Sequence, residues 1–95
     1  MLVLPATAEL TAVSHLNLLV SDRRDVPQRV LATCCRRQGA VVAMTFSRRG
    51  DGTADLELAV EVEPRLRRSL IDRIAGLVDV LEVRDARGRP LGSRP

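Results

Sequence analysis

The sequence has no tryptophan, no tyrosine and a single phenylalanine, Phe46. Recognition of bases by stacking needs aromatic platforms, so single-stranded nucleic acid is a poor candidate ligand. Lysine is also absent: all fifteen basic residues are arginine. A GC-rich coding sequence explains that bias without a functional cause. One histidine, His15, and two cysteines, Cys34 and Cys35, leave little material for nucleophilic or metal chemistry. Ring strain disfavours a disulfide between adjacent cysteines, so both read as free thiols of a reducing compartment. No apolar run approaches the ~18 residues of a membrane span. The first residues, Met1 to Ala8, lack the basic region and long apolar stretch of a signal peptide. These absences lead us to expect a cytoplasmic protein.

What is present is a globular composition, 45% hydrophobic and 28% charged over 95 residues. That length allows one domain and one modest core, burying roughly 60–65% of the surface of the unfolded chain, so an oligomer interface would help it. A net charge of +3 is too small to imply a polyanionic partner unless the arginines cluster. Residues 1–13 show no period and read as an N-terminal extension. Residues 86–95, rich in Gly, Pro and Arg, read as a flexible tail. The domain proper is expected over 14–85.

Within it, His15 to Val20 alternates with period 2, Leu16, Leu18 and Val20 sharing a face. A polar loop leads to Asp25-Val-Pro-Gln28, which has the form of a capping box with Pro in the first turn. The helix after it groups Val30, Leu31, Cys34 and Cys35, and Gly39 suits its left-handed cap. Val41 to Phe46 is a second strand, with Val42, Met44 and Phe46 on one face. The cluster Arg48-Arg-Gly-Asp-Gly52 makes a hairpin turn. In the third strand Leu56, Leu58, Val60 and Val62 alternate with Asp55, Glu57, Ala59 and Glu61. Pro64 opens a second helix whose stripe runs through Leu66, Leu70, Ile71, Ile74, Leu77 and Val78. Val80 to Arg84 is a last strand. The order βαββαβ predicts an α+β ferredoxin-like sandwich, an antiparallel four-stranded sheet with two helices on one face.

The fold hosts many functions, so function has to come from a site. An RNA-binding sheet is disfavoured by the carboxylates Asp55, Glu57 and Glu61 on its open face, which repel phosphate. Adjacent helical residues point about 100° apart, so Cys34 and Cys35 do not converge on a metal. They read as small apolar filler at the helix–sheet seam. Arg23, Arg24 and Arg29 lie near a helix N-terminus, a natural anion site, but the loop lacks glycine and carries Asp22 and Asp25. His15 stands on a strand with no nucleophile beside it in sequence. No catalytic or metal-binding residue is assigned.

From His15 to Asp85 the chain resembles the ACT domain of the short, feedback-insensitive small subunits of acetolactate synthase (acetohydroxyacid synthase). The resemblance rests on His15-Leu-Asn-Leu-Leu-Val20, on Arg29-Val-Leu followed by Arg36-Arg-Gln-Gly39, and on Leu56-Glu-Leu-Ala-Val60. It ends on Ile74-Ala-Gly-Leu-Val-Asp-Val80 and Leu81-Glu-Val83. It implies a regulatory or activating subunit, not itself an enzyme, that dimerises through sheet edges. Its partner would be a large subunit carrying thiamine diphosphate, magnesium and FAD. It also implies an effector site for a branched-chain amino acid such as valine, at the first strand–helix loop and the start of the second strand. Carried over, that site comprises Asp22, Asp25, Val26, Ala40 and Val41. Asp22 and Ala40 stand where the family commonly has Asn, and Asp25 stands where effector-binding members have Gly. Glycine lets backbone approach a ligand carboxylate; aspartate adds bulk and like charge. Valine binding is therefore expected to be weak or absent. The other reading is a stand-alone amino-acid-binding ACT protein.

Overall fold

The chain runs β1 (Ala12–Ser21), α1 (Val26–Arg36), β2 (Ala40–Arg48), β3 (Thr53–Val62), α2 (Pro64–Ala75), β4 (Val80–Asp85) and β5 (Pro90–Ser93). The structure, a computed structural model, describes residues 12–93. Most of the N-terminal extension therefore lies outside the described residues, although β1 begins two residues earlier than residue 14.

The strands form one sheet in the order β2-β3-β1-β4-β5, every neighbouring pair antiparallel. Its first four strands have the ferredoxin-like order. The fifth is a correction to the expected four-stranded sheet and to the tail expected over 86–95. The Asp85 carboxylate accepts the backbone N–H groups of Arg87 (2.9 Å) and Arg89 (2.8 Å), and Gly88 takes φ +83°, so the chain turns back on itself. Pro90 can open the returning strand because β5 lies at the sheet edge. Gly92 lets it pass under α2: a Cβ there would lie 3.1 Å from that of Ala75.

Period-2 burial in β1 and β3 puts Leu16, Leu18, Leu56, Leu58 and Val60 under the helices. Val26, Val30 and Cys34 from α1, and Leu70, Ile71 and Ile74 from α2, close the core from above. Three expected faces differ in part. In α1 the seam runs through Val26, Val30, Thr33 and Cys34, while Leu31 and Cys35 are exposed. The spacing i, i+4, i+7, i+8 is the true helical face, and Thr33 is tolerated there because its hydroxyl donates to the Arg29 carbonyl (2.9 Å). In β2 a bulge between Val41 and Ala43 turns Val42 outward, so Val41, Met44 and Phe46 pack on the core. Val78 is 73% exposed because α2 ends at Ala75.

The end of α1 differs from expectation as well. The Gly39 N–H donates to the Cys34 carbonyl (2.8 Å) and that of Gln38 to the Cys35 carbonyl (3.3 Å). In this Schellman arrangement Gln38, at φ +63°, takes the left-handed position. Gly39 is needed for space instead. A Cβ there would meet Val60 Cγ2 at 2.9 Å and the Cys34 carbonyl oxygen at 3.2 Å.

Candidate functional site

The loop that opens α1 is clamped on both sides. The Ser21 N–H donates to the Asp79 carbonyl (2.9 Å), which brings the turn before β4 against the end of β1. The Asp22 N–H donates to the Gly52 carbonyl (3.0 Å), and Asp22 Oδ1 accepts Arg48 Nε (3.0 Å), which ties the loop to the β2–β3 hairpin.

Asp25 does not cap the helix. Its backbone already has helical angles (φ −85°, ψ −8°) and its side chain makes no capping hydrogen bond; N-capping ordinarily requires an extended backbone at that position. Its carboxylate is instead held by Arg29 Nη2 at 2.7 Å, one helical turn on. Arg29 Nη1 reaches across to Asp79 Oδ2 at 3.0 Å. The Asp79 side chain is only 10% exposed, so one guanidinium serves an open carboxylate and a nearly buried one.

Beside this network lies a pocket of about 250 Å³ lined by Val26, Arg29, Val30, Leu77, Asp79 and Val80 among others. Its walls suit a short aliphatic group. Its charged lining is Arg29 and Asp79, with Asp25 held by Arg29 and also 3.9 Å from Arg23 Nε; the Asp25 carboxylate favours an approaching ammonium and opposes a carboxylate. Of the residues named from the sequence, Val26 lines this pocket and Asp25 joins its network, whereas Asp22 pairs with Arg48. Ala40 and Val41 are elsewhere. Ala40 pairs with Glu61, which pairs with Val13, at the end of the sheet opposite Ser21. Eight residues of strand at ~3.3 Å each separate the two ends, about 26 Å.

Asp79 is new to the site. Arg29, named from the sequence only as a cation near the helix N-terminus, joins it through its i,i+4 spacing to Asp25. Asp79, fifty residues away in sequence, gives no such signal.

Elsewhere chemistry is sparse. Burial pushes the Cys34 thiol up to about 11, with its neighbour Cys35 adding to the shift, which makes it a poor nucleophile. Among the described residues no three His, Cys, Asp or Glu side chains are grouped to hold a metal ion. A larger depression, about 590 Å³, lies on the open sheet face, but its charges are largely paired. Arg49 makes a two-pronged contact with Asp55 (2.9 and 2.8 Å) that holds the carboxyl below its usual range, and Arg84 pairs with Glu82 (2.8 Å). His15 is exposed on that face, opposite Ala59. No described helix is long and apolar enough to cross a membrane.

No family model matches the chain, and no curated protein matches its sequence. Solved structures do match. The crystal structure of the ACT domain from GTP pyrophosphokinase of Chlorobium tepidum superposes with a TM-score of 0.64 at 12% identity, covering 77% of this chain and 95% of that one. The C-terminal domain of the MgtC protein from Mycobacterium tuberculosis gives 0.61 at 13% identity, over 79% and 85%. A homoserine dehydrogenase from Thiobacillus denitrificans gives 0.56 at 15% identity, over 73% of this chain and 16% of that much longer one. At such identities the likeness is one of architecture: the chain has the fold of an ACT domain.

Proposed function

We propose that this chain is a non-catalytic regulatory domain of the ACT type that acts on a partner enzyme, with an amino-acid site that Asp25 holds at low affinity. The observation that carries this reading is the Asp25–Arg29–Asp79 network beside an aliphatic pocket at the start of α1. A branched side chain suits the walls and an α-ammonium suits the carboxylates. The α-carboxylate would meet Asp25 where an open helix N-terminus would otherwise receive it. Valine, leucine and isoleucine are therefore weak effectors at best.

The partner we propose is the large subunit of acetolactate synthase, the enzyme of branched-chain amino acid synthesis. That choice is supported by the sequence resemblance centred on Leu77-Val-Asp-Val80 and Leu56-Glu-Leu-Ala-Val60. Thiamine diphosphate, magnesium and FAD would belong to that subunit. We also propose a homodimer through the β2 edges. The other edge is guarded by a four-residue strand led by proline, whereas β2 offers nine residues and an outward Val42. Antiparallel pairing of two β2 strands would carry Ala40 and Val41 of one copy toward the Asp22–Arg48 end of the other.

Adding the purified chain to a purified acetolactate synthase large subunit tests the partner. Stimulated turnover and co-elution are expected. If the large subunit is unaffected while the chain alone binds an amino acid at micromolar levels, the stand-alone sensor is the better reading.

A further inference from the structure

The two helices carry six arginines and a single carboxylate, Asp72. Three of the six are paired: Arg29 with Asp25 and Asp79, Arg65 with Glu63, and Arg68 with Asp72. Arg67 donates to the Ser14 hydroxyl (3.1 Å). Arg36 and Arg73 remain, joined by Arg37 just past the end of α1. Among the described residues none of these three has an ion-pair or side-chain hydrogen-bond partner. All three line one depression of about 450 Å³ between the helices, with Thr33, Asp72 and Leu77.

We propose that this interhelical groove binds a small molecule carrying two or more linked phosphoryl groups. A last-turn cation complements its own helix dipole wherever it points, so that effect accounts for Arg36 and Arg73 singly. It does not account for arginines from both helices sharing one concavity with Arg37. Like charges gathered there repel, and a multivalent anion relieves the repulsion. Guanidinium groups grip phosphate through paired, charge-assisted hydrogen bonds, and several around one groove favour linked phosphates over a single one. Asp72 is the one carboxylate in the groove, and Arg68 already holds it at 3.1 Å. The volume lies in the range of small-molecule sites. Thr33 spends its hydroxyl on the Arg29 carbonyl, so the arginines supply the recognition. Leu77 lines both this groove and the aliphatic pocket, which gives the two sites a shared wall. The proposal stands without the amino-acid reading.

Amide NMR titration of the full chain with pyrophosphate, ADP, inorganic phosphate and citrate, at constant ionic strength, tests it. Pyrophosphate and ADP should shift Arg36, Arg37, Arg73 and Gly76 and bind at least about tenfold more tightly than inorganic phosphate. The double variant Arg36→Gln/Arg73→Gln should lose roughly tenfold or more in affinity with an unchanged melting curve. Arg37→Gln alone serves the same purpose if the double variant does not fold. Citrate binding as tightly as pyrophosphate would overturn the assignment to phosphates. So would shifts confined to Arg67, Arg87 and Arg89, or variants that bind as well as the parent.

Discussion

A left-handed backbone costs an L-residue roughly 1–2 kcal/mol, and Gln38 carries that cost so that the Schellman bonds can close α1. Glycine at 38 would remove it. Gln38→Gly should therefore raise stability by about 1 kcal/mol in urea unfolding, after the entropy that glycine adds to the unfolded chain. Gly39→Ala should do the reverse and lose about 1–3 kcal/mol, because the new methyl meets Val60 and the Cys34 carbonyl at contact distances that force a shift. Two neighbouring positions, both near an expected glycine cap, thus respond with opposite signs. The adjacent cysteines divide in the same way. Cys35 is exposed and Cys34 is buried, with its thiol pushed up by desolvation. An aromatic disulfide reagent at pH 8 should label one thiol per native chain quickly, and the second only on unfolding.

At the scale of elements, one ionised side chain helps to close the β4–β5 hairpin beside its backbone hydrogen bonds. Backbone N–H groups of Arg89 and then Arg87 hold the Asp85 carboxyl below its ordinary value. A carboxyl depressed in the folded state contributes stability that is complete above its unfolded value, ~4, and is lost as pH falls through the folded one. Amide hydrogen exchange in residues 90–93, corrected for the intrinsic rate, should therefore quicken relative to the core strands below about pH 4. Asp85→Ala should show that loosening at neutral pH. This hairpin also marks where sequence reasoning stops. Period-2 and period-3.6 patterns located four strands and both helices because each element buries one face. β5 is too short for a period, and its Gly and Pro are those of a turn and an edge strand as much as of a tail. The bulge that exchanges Val42 for Val41 is set by pairing with β3, which no local pattern records. In the candidate site, Asp25 and Val26 were legible through the resemblance, and Arg29 as a cation near the helix N-terminus. Asp79 was not, because the contact depends on tertiary structure.

For the whole molecule, the unpaired charges divide between sheet and helices. Among the described residues the carboxylates Glu57 and Glu61 lie without an ion pair on the open face of β3, while the unpaired arginines Arg36, Arg37 and Arg73 gather between the helices. Few side chains capable of covalent chemistry are left over, and the aliphatic pocket of about 250 Å³ lies where α1 and the turn before β4 meet. Asp25 stands at that corner in exposed ion pairs with Arg29 and Arg23 and does not cap the helix, so removing it should cost little in folding. Calorimetric titration of the chain and of Asp25→Gly with valine, leucine and isoleucine tests this account most directly. We expect no binding tighter than about 1 mM in the parent chain and a gain of roughly tenfold in the variant, the worth of removing one opposing charge. Sub-millimolar binding by the parent, or a well-folded variant that gains nothing, would contradict it.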